Sequence, residues 1–210
     1  MLVAHPHLRH HREAIAAYHA EEACHGSLRD RTSMLLGLGE LGGATTKWLT
    51  NPELGVRVGA ALAPALAEDE TATNVLRSAS LDPAALDSTF GGMHLHQLPW
   101  LNQAVAETLC DRFESLVPLL DSAIAAVAYE APGGDGVLSE PYLRKAFPLG
   151  LPVDGTNTQR ALARMVADHD RAWRGDSRWA VTFARIKLPV ERQAWLASAG
   201  DAARPAARTD

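Results

Sequence analysis

The sequence predicts an all-α protein, and three observations favour that fold class. Ile occurs only three times and Val twelve times in 210 residues, while Ala and Leu are abundant; this disfavours sheets, because β-branched residues are enriched in strands. A capping residue followed by Pro marks two helix starts, at Asn51-Pro52 and Asp82-Pro83. A long run of apolar residues at helical spacing extends from Pro99 to about Tyr129. We therefore expect a helical bundle, with a small α/β Rossmann-like fold as the alternative.

The run from Pro99 to Tyr129 predicts one long central helix. Pro118 lies inside it, and a proline there removes a backbone hydrogen bond and clashes with the preceding turn, so we expect a kink or a break. The apolar side chains recur every three or four residues, which is the period of one helix face. They are Leu101, Val105, Leu109, Phe113, Leu116, Leu120, Ile124 and Val127.

Further helices are predicted on both sides of this run. Residues 7–28, rich in Ala and without Gly until Gly26, predict one helix, followed by a loop over 26–33. Thr156 and Gln159 have the spacing of a capping box and predict a helix over 157–174. The Gly- and Pro-rich stretch before it predicts a long connection with one short helix near Ser139. Residues 178–188 fit a helix or a strand.

Length and composition favour one domain over residues 1–198 with a disordered tail over 199–210. The net charge is −5, and the basic residues are scattered, which disfavours nucleic-acid binding. No apolar run approaches the ~20 residues of a membrane-spanning helix. Cys24 and Cys110 form neither a disulfide framework nor a CxxC pair, which fits a reducing compartment. We expect a cytoplasmic protein without nucleic-acid or membrane partners, and a homodimer is left open.

Residues 7–26 hold an unusual share of the nine histidines of the chain. On a helix that turns about 100° per residue, one narrow stripe contains His7, His11, Ile15, Tyr18, Glu22, His25 and Arg29. The opposite side carries small residues and is expected to pack against the protein; these are Ala16, Ala17, Ala20, Ala23 and Cys24. Two interpretations of the stripe stay open, a solvated helix face and a set of ligands.

Glu22 and His25 support the ligand interpretation because they stand three residues apart, the spacing found on the ligand helices of di-iron and di-manganese bundles. His11 is a further candidate ligand on the stripe. Two imidazoles and one carboxylate suit a transition metal, iron first, and haem bound by His25 is the alternative cofactor. No second Glu-x-x-His occurs, so other ligands would come from His94, His96, Glu107, Glu114 or residues 168–170.

His169 lies on the apolar stripe of its predicted helix, between Val166 and Trp173. An imidazole turned inward needs partners for both nitrogens. It is therefore either a structural histidine bonded to a carbonyl or an Asp, or a metal ligand or general base oriented by Asp170 or Asp168.

A glycine-rich segment, MLLGLGELGG, contains Gly37-x-Gly39-x-x-Gly42, the pattern that lets a backbone approach a dinucleotide pyrophosphate. The strand before it would span only about four residues, and Arg57 in the next segment would have to meet a 2′-phosphate. In a helical fold Gly39, Gly42 and Gly43 would instead permit close packing, or form one wall of a cofactor site.

Three functions are compatible with these patterns. The first is a metal- or haem-dependent enzyme, an oxidoreductase acting on a small-molecule substrate, with Tyr18, His169 and Asp170 as catalytic candidates. The second is a non-catalytic helical module that binds a ligand or a protein through the histidine face. The third is a dinucleotide-dependent reductase built on the glycine-rich segment.

Overall fold

The computed structural model describes residues 11–88, 100–130, 136–174 and 178–200, and the regular secondary structure in these ranges is helical throughout. The predicted all-α class is confirmed. The Rossmann-like alternative is wrong, because its expected first strand and phosphate loop, residues 33–43, lie in a helix and its C-terminal cap. None of the described helices is long and apolar enough to cross a bilayer.

The helices belong to two compact units, Met1–Arg112 and Phe113–Asp210. The first unit contains α1 (Arg12–Glu22), α2 (Leu28–Glu40), α3 (Leu54–Ala61), α4 (Glu70–Ser80), α5 (Pro83–Ser88) and α6 (Trp100–Arg112). The second contains α7 (Leu120–Glu130), α8 (Glu140–Ala146), α9 (Asn157–Asp168), α10 (Trp179–Arg185) and α11 (Arg192–Ser198). The single domain over 1–198 stays a prediction, and most of the tail, 201–210, lies outside the described residues.

In the first unit, α2 packs against α1 and α3, α3 against α4, and α4 against α6. The approach of α2 to the end of α3 depends on glycine: a Cβ placed on Gly39 would stand 2.9 Å from the Cβ of Ala63. The fully buried core side chains of this unit include Leu35, Val56, Val58, Leu76, Leu86 and Leu109.

The core of the second unit is an aromatic cluster beside the packed helices α7, α9 and α11. The Trp195 ring is fully buried, with its centroid 4.9 Å from that of Phe183 and 5.6 Å from that of Phe147. Trp173 stacks on Phe183 at 5.5 Å. Each such pair contributes roughly 0.5–1.5 kcal/mol beyond its buried area, so these rings anchor α8, α10 and α11.

Several predicted helix signals are confirmed, whereas the start predicted at Asn51-Pro52 is wrong, because α3 begins at Leu54 with Glu53 as its N-cap. The Asp82 carboxylate accepts a hydrogen bond from the Ala85 N–H at 3.0 Å and begins α5. Thr156 and Gln159 form the reciprocal capping box at the start of α9. A short helix, α8, follows Ser139, and residues 179–185 form a helix, which settles the ambiguous segment.

The run predicted over 99–129 forms two helices rather than one, and the break expected at Pro118 is confirmed, because residues 113–119 separate α6 from α7. Pro118 lies in the short 3₁₀ turn Val117–Leu119, where a proline is tolerated in the first turn. The end of α6 is fixed by Arg112, which donates to the Thr73 hydroxyl at 2.8 Å and the Ala61 carbonyl at 3.0 Å. Burial lowers the pKa of Arg112, although Asp69 opposes that shift.

The helix predicted over 7–28 is also too long. Helix α1 ends at Glu22, and Gly26 adopts a left-handed φ of +84° that few other residues adopt readily. Ser27 then caps α2 by accepting a hydrogen bond from the Asp30 N–H at 3.2 Å. The predicted loop over 26–33 is therefore mostly the first turns of a second helix; residues 7–10 lie outside the described ranges.

Candidate metal-binding face of helix α1

One side of α1 packs on α2. Arg12 donates to the Leu41 carbonyl at 2.9 Å, and Arg31 donates to the Ala23 carbonyl at 3.2 Å. Ala23 is fully buried. The expected alanine side is thus covered at Ala23 and half-buried at Ala16 and Ala20, whereas Ala17 and Cys24 are exposed.

The opposite side of α1, which we call the histidine face, consists of His11, Ile15, Tyr18, Glu22 and His25. Tyr18 is 54% exposed, His11 and His25 are exposed, and Glu22 is half-buried. Within the described ranges, no hydrogen bond or ion pair engages the side chains of His11, Glu22 or His25.

The turn after α1 brings Glu22 and His25 together. The His25 N–H donates to the Glu22 carbonyl at 3.0 Å, which closes a four-residue turn and brings the Cα atoms at its two ends within about 7 Å of each other. His11 lies eleven residues before Glu22, or about 16 Å along a helix axis. The turn thus brings together two candidate ligand residues, and no group of three or more His, Cys, Asp or Glu positioned for a metal occurs among the described residues.

The sequence interpretation gave no role to His19, which lies between the histidine face and the alanine side. Its Nδ1 is buried without a hydrogen-bond partner among the described residues. A Cβ placed on Gly37 would stand only 2.4 Å from His19 Cε1. His19 therefore fills the space left by the missing side chain of Gly37, and only a joint reading of α1 and α2 could have indicated this contact.

His169 and Asp170 do not form the predicted pair. Helix α9 ends at Asp168, earlier than predicted, because His169 leaves the helical conformation and Asp170–Trp173 form a 3₁₀ turn. The Asp170 carboxylate pairs with Arg192 at 3.0 Å, and the buried Nε2 of His169 has no partner in the described part of the chain. These two candidates belong to the second unit, whereas Tyr18 belongs to the first.

The glycines predicted to bind a cofactor have other structural tasks. Gly42 has a left-handed φ of +73°, and the Gly43 N–H donates to the Leu38 carbonyl at 2.9 Å. This is the pattern of a Schellman motif, which ends a helix. Gly39 packs against Ala63, just after α3, and leaves no room there for a cofactor. Arg57 donates to two backbone carbonyls just before α3 rather than facing a phosphate.

The remaining candidate ligands are dispersed. Glu107 is exposed and accepts a hydrogen bond from Gln103 at 2.8 Å. Glu114 is exposed, and Asp168 pairs with Arg164 at 3.0 Å. His94 and His96 lie outside the described residues.

No protein-family model matches this chain, and comparison with curated proteins and with solved structures gives no significant match. The class that the fold defines is that of an all-α helical protein, and any assignment of function depends on the histidine face itself.

Proposed function

We propose that this protein binds a transition metal ion on the histidine face of α1 and uses it for redox chemistry on a small molecule. The observation that carries the proposal is the turn that joins Glu22 to His25 by a backbone hydrogen bond, with neither side chain engaged in a hydrogen bond or ion pair in the described ranges. One carboxylate and one imidazole are two members of the two-histidine, one-carboxylate set that holds non-haem iron with open positions for a substrate.

An ion held by polar side chains suits this face better than haem. A haem-binding imidazole works within a pocket whose polarity and access control the iron, whereas His25 is exposed. The glycine-rich segment, which would have supplied a wall for haem, is covered at Gly37 by His19 and at Gly39 by Ala63.

Tyr18 is the side chain of this face suited to contact a bound substrate. It lies one helical turn before Glu22, at the i to i+4 spacing that makes two side chains neighbours. Its ring is 54% exposed, and its hydroxyl can donate a hydrogen bond to a molecule coordinated beside Glu22. In this proposal Tyr18 orients the substrate and the metal supplies the redox chemistry.

Titration of the tag-free protein with Co²⁺, followed by its visible absorption, tests the proposal. We expect Glu22→Ala and His25→Ala each to weaken Co²⁺ binding at least about tenfold, since even the loss of a group behind a ligand weakens metal sites 10- to 100-fold. Glu21→Ala, an exposed neighbour outside the histidine face, is the matched control and should bind as the wild type does. Equal affinity of the wild type and the double variant Glu22→Ala/His25→Ala would contradict the proposal.

A binding module for a protein partner is the second candidate, favoured by one observation in the second unit. Leu149 is 100% exposed and Val153 is 90% exposed, yet their turn is fixed: Ser198 donates to the Pro152 carbonyl at 2.9 Å and Gln159 to the Ala146 carbonyl at 2.7 Å. A preordered turn loses little entropy on binding. If the protein binds no metal ion, binding of a protein partner becomes the preferred function.

A further inference from the structure

We propose that a second copy of this chain completes the metal site. Two α1 helices would pair in antiparallel orientation, so that His11 of one copy joins Glu22 and His25 of the other on one transition metal ion. This inference rests on the proposed metal-binding function. It explains why a single chain holds only two of the three predicted ligands next to each other.

The spacing of the histidine face is symmetric about Tyr18. His11 precedes Tyr18 by seven residues and His25 follows it by seven (18 − 11 = 25 − 18). In an antiparallel pair with its two-fold axis at Tyr18, His11 of each copy therefore lies opposite His25 of the other. A two-fold interface uses the same patch on both subunits, and this patch is self-complementary in its ligands.

The distances along the helix require the second copy. His11 is the N-cap of α1 and Glu22 its last residue, so they lie about 16 Å apart at 1.5 Å per residue. His25 follows three residues later, in the turn after α1, so His11 cannot share an ion with Glu22 and His25 within one chain. Within α1, the steps of four and three residues from His11 through Ile15 and Tyr18 to Glu22 have the spacing of a coiled-coil seam. Helices packed along such a seam lie about 8–10 Å apart, which facing histidine and glutamate side chains can bridge through a metal.

The candidate ligands of this seam, His11, Glu22 and His25, make no side-chain hydrogen bond or ion pair in the described part of the chain, and the Tyr18 ring lies edge-on to His19 at 6.1 Å. His11 stands at the N-cap of α1 but makes no side-chain capping hydrogen bond. The other side of α1 is occupied by α2 through Arg12, His19 and Ala23. The histidine face is therefore the side of α1 that a second copy can reach.

The size of the seam makes the pairing depend on metal. It offers five side chains per copy, whereas a stable interface takes about 20–30 residues a side. Contacts along the seam alone are too few to hold two copies together. Metal coordination has to supply the rest, and one complete site is enough to hold the pair; the wild-type dimer has two such sites, with one ion per chain.

Sedimentation velocity and native mass spectrometry on the full, tag-free chain test this inference. We expect a monomer in the presence of EDTA, and a dimer carrying one ion per chain after addition of Co²⁺ or Zn²⁺. A monomer that binds Co²⁺ through Glu22 and His25 would overturn the second-copy site and leave the proposed function intact. A chain that binds no metal would overturn both.

A mixing experiment separates a shared site from a site within one chain. His11→Ala and the double variant Glu22→Ala/His25→Ala should each fail to dimerise with Co²⁺. Their equimolar mixture should form a heterodimer with one ion, since one of its two ends then has all three ligands. A mixture that stays monomeric would contradict the inference. Glu21→Ala serves as the control that dimerises normally, and far-UV circular dichroism checks that the variants, at exposed or half-buried positions, remain folded.

Discussion

The missing side chain of Gly37 determines how α1 sits on α2. The imidazole of His19 occupies the position of the absent Cβ, with Cε1 only 2.4 Å and Nδ1 only 2.5 Å from it. At the two ends of α1, hydrogen bonds from Arg12 and Arg31 to backbone carbonyls hold α1 and α2 together. The histidine face is thus oriented by one close contact and two hydrogen bonds, and it turns with α1 if that contact changes.

We predict that the effect of Gly37→Ala on stability changes sign with the residue at position 19. In the wild type the new methyl group collides with His19 and should lower the free energy of unfolding by about 1–3 kcal/mol. In a His19→Ala background the same substitution should raise it by up to ~1 kcal/mol, because Ala favours a helix over Gly. Urea denaturation of the four proteins measures both values. A loss of similar size in both backgrounds would show that His19 is not the contact.

Glu130 is a buried carboxylate whose partners define the end of α7 and the start of α8. It accepts hydrogen bonds from the Leu138 N–H at 2.7 Å, the Ser139 N–H at 2.8 Å and the Ser139 hydroxyl at 2.6 Å. A carboxylate only accepts hydrogen bonds, so it satisfies several donors at once, whereas an amide has a single acceptor oxygen.

Glu130→Gln should therefore lower the free energy of unfolding by about 1.5–3 kcal/mol, the range for hydrogen bonds to charged groups. Denaturant unfolding monitored by tryptophan fluorescence measures the change. Glu191→Gln, at an exposed position of the same unit that makes no side-chain cap, is the matched control and should change stability by less than ~0.5 kcal/mol. Equal effects of the two substitutions would exclude this role of Glu130.

At the scale of the element, the helix starts marked by a local cap could be predicted at α5 and α9, whereas the start of α2 and most helix ends could not. Thr156 with Gln159, and Asp82 before Pro83, act through hydrogen bonds to residues only three positions away. The break between α6 and α7 was expected at Pro118, but its start at Arg112 was not, because Leu116 and Leu120 keep the helical spacing although the backbone between them turns. The spacing of apolar residues indicates which side of the chain faces the core, but it does not indicate at which residue the helical hydrogen bonds end.

The capping box of α9 gives a prediction at this scale. Thr156→Ala removes the side chain that accepts the Gln159 N–H, and should lower the free energy of unfolding by about 1 kcal/mol. Thr71→Ala, at an exposed position inside α4, removes a threonine without a cap and serves as the control. Thermal unfolding followed by circular dichroism measures both. A Thr156→Ala variant as stable as the wild type would contradict the capping role.

At the scale of the whole molecule, the sequence predicted the fold class better than the candidate site. The composition and the capping residues are features of the chain as a whole, and both indicate helices. The helical projection placed Glu22, His25 and His11 on one stripe, but it removes the dimension along the axis. His11 therefore seemed a neighbour, although it lies about 16 Å from Glu22. His19 was missed because its partner is a glycine of another helix, and the sequence does not show which helices pack together.

The exposed side chains of Leu149 and Val153 in the second unit should contribute little to the free energy of unfolding. Replacing Leu149 and Val153 by Ser should change the free energy of unfolding by less than ~0.5 kcal/mol, because surface substitutions away from packed contacts rarely do more. Leu143→Ser, at a fully buried position of the preceding helix, should by contrast lower it by about 2–5 kcal/mol. Guanidinium unfolding compares the variants. A large loss for the turn variant would mean that these side chains pack within the protein and are not a docking surface.

The central claim, that the histidine face is a metal site, is tested most directly by elemental analysis of tag-free protein by mass spectrometry. We expect near-stoichiometric iron, manganese or zinc in the wild type and in Glu21→Ala, and its loss in Glu22→Ala/His25→Ala. Wild-type protein that is metal-free as purified, and stays so after reconstitution with iron, would contradict the claim. The histidine face would then be a solvated surface, and the protein-binding module would become the better account.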